Sequence, residues 1–97
     1  MSAKGIVYVI QFLEPITGHA HFYVGSTLAG RLSERFHEHA TGQGARLTQV
    51  AVERGIGMQI VHTVTTKTVS EARKLERHIK NQKGTGKWLA RQRGARS

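Results

Sequence analysis

The run Ile6-Val7-Tyr8-Val9-Ile10-Gln11-Phe12 decides the fold of this chain, and His19-Ala20-His21-Phe22-Tyr23-Val24 completes the decision. In the first run Ile6, Tyr8, Ile10 and Phe12 fall on one side and Val7, Val9 and Gln11 on the other. That period of two, in residues rich in β-branching, predicts a strand. Between the runs lies Glu14-Pro15-Ile16-Thr17-Gly18, with proline and glycine placed to reverse the chain. The two runs therefore read as an antiparallel hairpin with a longish loop, ended by Gly25 and Ser26. Each strand displays a tyrosine, Tyr8 and Tyr23, and each tyrosine is followed by valine. The ordinary role of such a tyrosine is packing, with its hydroxyl satisfied.

Working outward, residues 29–40 read as a helix in which Leu32, Phe36 and Ala40 form an apolar stripe at i, i+4, i+8. Arg31, Arg35 and His39 form a second row with the same spacing. Thr41-Gly42-Gln43-Gly44 breaks this helix. A second helix, about 45–54, is expected to bury Leu47, Val50 and Ala51 and to stop at Gly55. A third strand is expected over 58–64. Thr68-Val69-Ser70-Glu71 has the capping-box form and opens a helix to about residue 82, with Ala72, Leu75 and Ile79 inward. The stretch 83–97 carries Lys83, Lys87, Arg91, Arg93 and Arg96 without an acid, and reads as a basic arm whose first part Trp88 and Leu89 could pin to the body.

Composition narrows the function. Ninety-seven residues make one domain with a modest core. Lys plus Arg number 15 against 6 Asp plus Glu, a formal +9 at pH 7. On so small a surface that charge creates a positive field favouring polyanions, nucleic acid first and anionic membrane second. No apolar run approaches the roughly 18 residues of a spanning helix, and no signal peptide is visible. Cysteine is absent, which excludes disulfides and thiolate metal sites and fits a cytoplasmic protein.

Three groups carry chemistry beyond packing. Glu76 borders the inward stripe of its helix, four residues after Ala72 and three before Ile79. A carboxylate there needs a cation, several donors or a metal, and the structural alternative is an ion pair with Arg73 or Lys80 along the helix. Arg35 and His39, at i, i+4, can converge on one ligand. A guanidinium fork beside an imidazole suits a phosphate, whereas a solvated basic face is the plainer reading. His19/His21 and His37/His39 lack the further ligands that a structural zinc site needs.

In this order the residues resemble the GIY-YIG nuclease domain. Val7-Tyr8-Val9-Ile10 stands for the first motif and Phe22-Tyr23-Val24-Gly25-Ser26 for the second. The Arg-x-x-x-His element follows as Arg35 to His39, then the glycine-rich joint Gly42-Gln43-Gly44-Ala45-Arg46-Leu47-Thr48. The segment from Ser70-Glu71-Ala72 through Glu76-Arg77-His78-Ile79-Lys80 is similar to the helix that bears the family's metal-binding glutamate. The first motif departs from the family pattern, reading Ile-Val-Tyr after Gly5. An insertion between Gly25 and Arg35 sets Arg31 against Arg35 as the functional arginine, and the spacing to His39 favours Arg35. Asn81 is left without a role. The resemblance places a nuclease-like domain in residues 1–82, with 83–97 as a basic C-terminal extension.

The resemblance implies a small mixed α/β domain, a three-stranded antiparallel sheet flanked by helices in the order β-β-α-α-β-α. It also implies one shallow cleft shared by Tyr8, Tyr23, Arg35, His39 and Glu76. The implied activity is endonucleolytic hydrolysis of phosphodiester bonds in DNA with one divalent ion, Mg²⁺ or Mn²⁺, held by Glu76. Tyr8 would be the general base, helped toward phenolate by Arg35, the metal and the basic field, with His39 receiving its proton. Tyr23 would orient water or phosphate, and the two tyrosine roles are exchangeable. Arg31, Arg46, Arg54, Arg73, Lys80, Lys83 and Lys87 are expected to contact nucleic acid. With no base-reading element, selectivity for branched or partly single-stranded DNA, or a protein partner for targeting, is expected over sequence recognition. A monomer or weak homodimer fits. The rivals are a non-catalytic nucleic-acid-binding module of the same fold and an unrelated small basic RNA-binding protein.

Overall fold

The computed structural model describes residues 3–16, 20–81 and 84–94. Its central strand is β1 (Gly5–Ile16), paired antiparallel on one side with β2 (Ala20–Leu28) and on the other with β3 (Met58–Thr66), giving the order β2-β1-β3. After β2 a single 3₁₀ turn, Ala29–Arg31, leads into α1 (Leu32–Ala40), followed by α2 (Arg46–Glu53). Beyond β3 come α3 (Val69–Asn81) and α4 (Thr85–Gly94). The fold is thus the expected mixed α/β domain on a three-stranded antiparallel sheet, with one helix more than expected.

β1 is apolar at nearly every position because helices cover both faces of the sheet, as for any strand buried twice. On one face Val7, Val9 and Val24 pack with Ala72 and Ile79 of α3 and with Trp88 and Leu89 of α4. On the other, Tyr8, Ile10, Phe12 and Ile16 pack with Ala51 and Ile56, flanked by Leu32, Phe36, Leu47 and Val50. The two periodicities, two in the strand and 3.6 in the helices, deliver each side chain to its own layer.

Four expectations change. Pro15 does not reverse the chain: β1 runs on through Ile16, which pairs with Ala20 after a register shift beyond Gln11. Proline lacks an N–H to donate, and an irregular stretch of ladder tolerates it. Thr17, Gly18 and His19 lie outside the described residues. β2 does not end at Gly25-Ser26 but continues to Leu28, because Val7, Ile6 and Gly5 supply partners as far as Leu28. On α1 the inward position after Phe36 is His39, fully buried, while Ala40 is exposed. His39 and Ala40 are about 100° apart around the helix, and it is His39 that turns inward, where Tyr8 and Thr48 partner its ring nitrogens. Finally, the stretch read as a basic arm forms α4, because Trp88 and Leu89 are buried rather than merely resting on the surface. At the start of α3, the Glu71 N–H donates to Thr68 Oγ1 at 3.1 Å, and the Glu71 carboxylate accepts from the backbone of Lys67, not of Thr68.

Candidate active site

The site is assembled from β1, β2, α1 and α2. In the sheet register Tyr8 stands opposite Gly25 and Ile10 opposite Tyr23, so the tyrosines are diagonal neighbours on one face. Gly25 has no side chain, and the Tyr8 ring occupies the space above it; a Cβ there would collide with the phenol oxygen and the carbon bearing it. The Tyr8 and Tyr23 ring centroids are 6.5 Å apart. α1 packs over them and brings His39 to 5.8 Å from Tyr8 and 5.0 Å from Tyr23, between ring centroids.

Tyr8 and His39 are joined at 2.9 Å between the phenol oxygen and Nε2. Both residues are buried, at 1% and 0% exposure. The other ring nitrogen of His39, Nδ1, lies 2.9 Å from Thr48 Oγ1 on α2. Arg35, one turn before His39, binds Glu38 through Nη1 at 2.7 Å, and its guanidinium also acts on the Tyr8 hydroxyl. Arg31 instead binds Glu34, at 2.9 Å and in solvent. Of the two arginines, the one at the tyrosine is therefore Arg35.

Charge in this cluster is set first by burial. Desolvation pushes the Tyr8 phenol up to about 12, reinforced by Tyr23, and Arg35 acts in the opposite direction. Arg35 favours the phenolate, as expected, but burial outweighs it. Burial also lowers His39, and the neighbouring Arg35 charge adds to the effect. The resting pair is a neutral phenol against a neutral imidazole.

Glu76 approaches from α3. Its Oε1 accepts from Ser26 Oγ at 2.5 Å, and its Oε2 pairs with Lys80 Nζ at 2.6 Å. The side chain is 21% exposed and opens on a cavity of about 340 Å³, lined also by Arg73 and Arg77. Its charge reaches Tyr8, and Lys80 lies 5.6 Å from the Tyr23 ring centroid, so Lys80 bridges the two parts of the site. The tyrosines do not line the Glu76 cavity. The aromatic cluster of Tyr8, Tyr23 and His39 thus adjoins the Glu76 pocket through Lys80.

One partly exposed carboxylate with a hydroxyl beside it fits Mg²⁺, which usually keeps several waters and takes only one or two protein carboxylates. Among the described residues no group of three or more His, Cys, Asp or Glu could form an all-protein cage.

The basic residues divide. Arg73 and Lys80 border the Glu76 pocket. Lys87 lines a separate cavity of about 390 Å³ with His21, Phe22 and the start of α4. Arg46 and Arg54 are exposed near the two ends of α2. Lys83 lies outside the described residues. Sequence reasoning missed Ser26 and Thr48 as partners of functional side chains. Ser26 follows Gly25 directly, and Thr48 stands at a buried position of an amphipathic helix, where a hydroxyl must find a partner. That polar residue at an inward position was the available signal.

A family model described as the GIY-YIG catalytic domain matches residues 4–89, most of the chain and including the start of α4. Searches among curated proteins and among solved structures returned no match.

Proposed function

The chain belongs to the GIY-YIG catalytic domain family, a nuclease-type fold, and from that premise we propose that it is a metal-dependent DNA endonuclease acting through Tyr8, Tyr23, Arg35, His39 and Glu76. The observation that carries the reading is the buried 2.9 Å contact between the Tyr8 hydroxyl and His39 Nε2, with Arg35 on the same hydroxyl. A structural tyrosine needs one partner. This one has an imidazole nitrogen at 2.9 Å and feels a guanidinium at the same oxygen.

A phenol near 12 beside an imidazole held below the ordinary 6.5 does not ionise unaided. Tyr8 therefore works as a relay rather than a standing phenolate. As the attacking water forms its bond to phosphorus, its proton passes to the Tyr8 oxygen while the phenol proton passes to His39, leaving an imidazolium. Arg35 steadies the charge that grows on Tyr8 and on the phosphoryl oxygens. Tyr23, half-buried beside the Tyr8 ring, would orient the water or the phosphate. Glu76 and Ser26 would hold the ion, which when bound polarises the scissile phosphate and stabilises the leaving oxygen. Lys80 would then leave the carboxylate for phosphate, aided by Arg73.

Binding is electrostatic, through Arg31, Arg46, Arg54, Arg73, Lys80, Lys83 and Lys87, and reads backbone and shape rather than sequence. Branched or partly single-stranded DNA is the expected substrate, with a partner protein or a weak dimer where both strands are cut. The test is incubation with supercoiled plasmid and with branched DNA, in Mg²⁺ or Mn²⁺ against chelator, with Glu76→Ala as control. Metal-dependent nicking lost in the variant supports the proposal. Tight, salt-sensitive binding without nicking would identify a non-catalytic module instead.

A further inference from the structure

Thr48 has no part in the chemistry described so far, yet it is fully buried and its hydroxyl meets two groups at once. One is the carbonyl of Ala45 and the other is His39 Nδ1, each at 2.9 Å. A hydroxyl has one proton, and a carbonyl oxygen can only accept. The Thr48 proton therefore goes to Ala45, and toward His39 the threonine oxygen can only accept. His39 must then carry its proton on Nδ1, leaving the lone pair on Nε2 to face Tyr8.

The Tyr8 end gives the same answer independently. The Tyr8 hydroxyl meets His39 Nε2 at 2.9 Å, and the Arg35 guanidinium, always a donor, acts on the same hydroxyl. Were Nε2 protonated as well, the phenol oxygen would face two donors and its own proton would have no acceptor. The Nδ1–H form instead lets every proton run one way: Tyr8 to His39, His39 to Thr48, Thr48 to Ala45. Such a head-to-tail chain is mutually strengthening, and no buried side-chain polar atom among the described residues is left unpaired. Only the Ala45 N–H, at 3.4 Å from Nδ1, favours the other form, and it is the longest contact of the set. Gly44 completes the setting, since a Cβ there would collide with the His39 ring.

We propose that Thr48 is the positioning residue of this site, holding His39 in the Nδ1–H tautomer so that Nε2 can take the Tyr8 proton. The role rests on the nuclease reading above, but the tautomer itself does not. Thr48→Val removes the hydroxyl at nearly constant shape, and Thr48→Ser keeps it.

Nitrogen-15 NMR of the imidazole in the metal-free, DNA-free protein is expected to show His39 protonated at Nδ1. Thr48→Val is expected to move His39 wholly or partly to Nε2–H. It should lower kcat for DNA cleavage at least about tenfold, out of the roughly 10²–10⁴-fold that acid–base catalysis supplies, with KM little changed. Thr48→Ser should restore both readouts. An Nε2–H signal in the unmodified protein overturns the proposal, as does a Thr48→Val protein with unchanged tautomer and rate, or a serine variant as impaired as the valine one. Should Thr48→Val not fold, the unmodified and serine proteins still decide. An Nδ1–H signal in a protein that cuts no DNA upholds the tautomer and overturns only the nuclease reading.

Discussion

Tyr8 on the central strand and His39 on the first helix meet at 2.9 Å inside the protein, both cut off from solvent. Their union makes one buried polar pair out of two residues that are ordinary in their own elements. It also makes each dependent on the other, which the following experiments exploit.

Tyr8→Phe removes the hydroxyl and leaves His39 Nε2 buried without its partner. We expect a stability loss of about 1–3 kcal/mol, the cost of an unsatisfied buried group, measured by urea unfolding. Cleavage should fall by about 10²–10⁴-fold. Tyr23→Phe, whose ring is half-buried, should unfold close to the unmodified protein while still reducing cleavage. A fully active Tyr8→Phe enzyme would remove the relay.

The pH dependence follows from His39. Its pKa is lowered in the folded protein by burial and by Arg35, so the unfolded chain binds the proton more readily. The associated stability is fully present above the unfolded value of about 6.5 and is lost as pH falls from there through the folded pKa. Thermal melts across this acid range should show the loss, and His39→Gln should flatten it. Because the relay needs a neutral imidazole, the acid limb of the cleavage profile should lie below the ordinary histidine value.

Tyr8 has the opposite sign. With the phenol raised to about 12, the stability it contributes is present below its ordinary value of about 10 and is lost as pH rises toward 12. An ultraviolet titration should show one tyrosine ionising late, and Tyr8→Phe should delete that late step and no other.

Gly25→Ala tests the packing of the tyrosine over the glycine. The new methyl group would occupy the position of the Tyr8 hydroxyl, so the ring must shift and the contact with His39 must break. Cleavage should fall about as far as in Tyr8→Phe, with a stability loss of about 1–3 kcal/mol from overpacking. Unchanged activity would show that the hydroxyl is not needed where it stands.

Trp88→Ala asks whether the last helix is part of the core. Trp88 is 7% exposed and packs with Val7, Val9, Ile79 and Leu89, so the cost should be about 3–5 kcal/mol. Denaturant unfolding measures it, and a cost below 1 kcal/mol would return α4 to the status of a detachable arm.

Much of this was legible in the chain. The strand period in residues 6–12, the glycine break at 42–44 and the hydroxyl–glutamate pair at Thr68 and Glu71 each encode local geometry, which neighbouring residues determine among themselves. The limits of β1 and β2 were not legible, because a strand ends where its partner does, and the partner is distant in sequence. α4 was misread for the same reason: its charges are visible locally, whereas the pocket that receives Trp88 is built from the sheet and α3.

For the site, sequence determined which residue types were present and that Arg35 and His39 share a helix face. Tertiary structure alone decided that His39 turns inward and that Thr48 lies behind the imidazole, and it agreed with the spacing that favoured Arg35 over Arg31. It also decided that burial of Tyr8 outweighs the pull of Arg35 toward phenolate. The reason is physical: a charge count is additive along the chain, but desolvation exists only once other elements have closed over the group, and here it outweighs the nearby arginine.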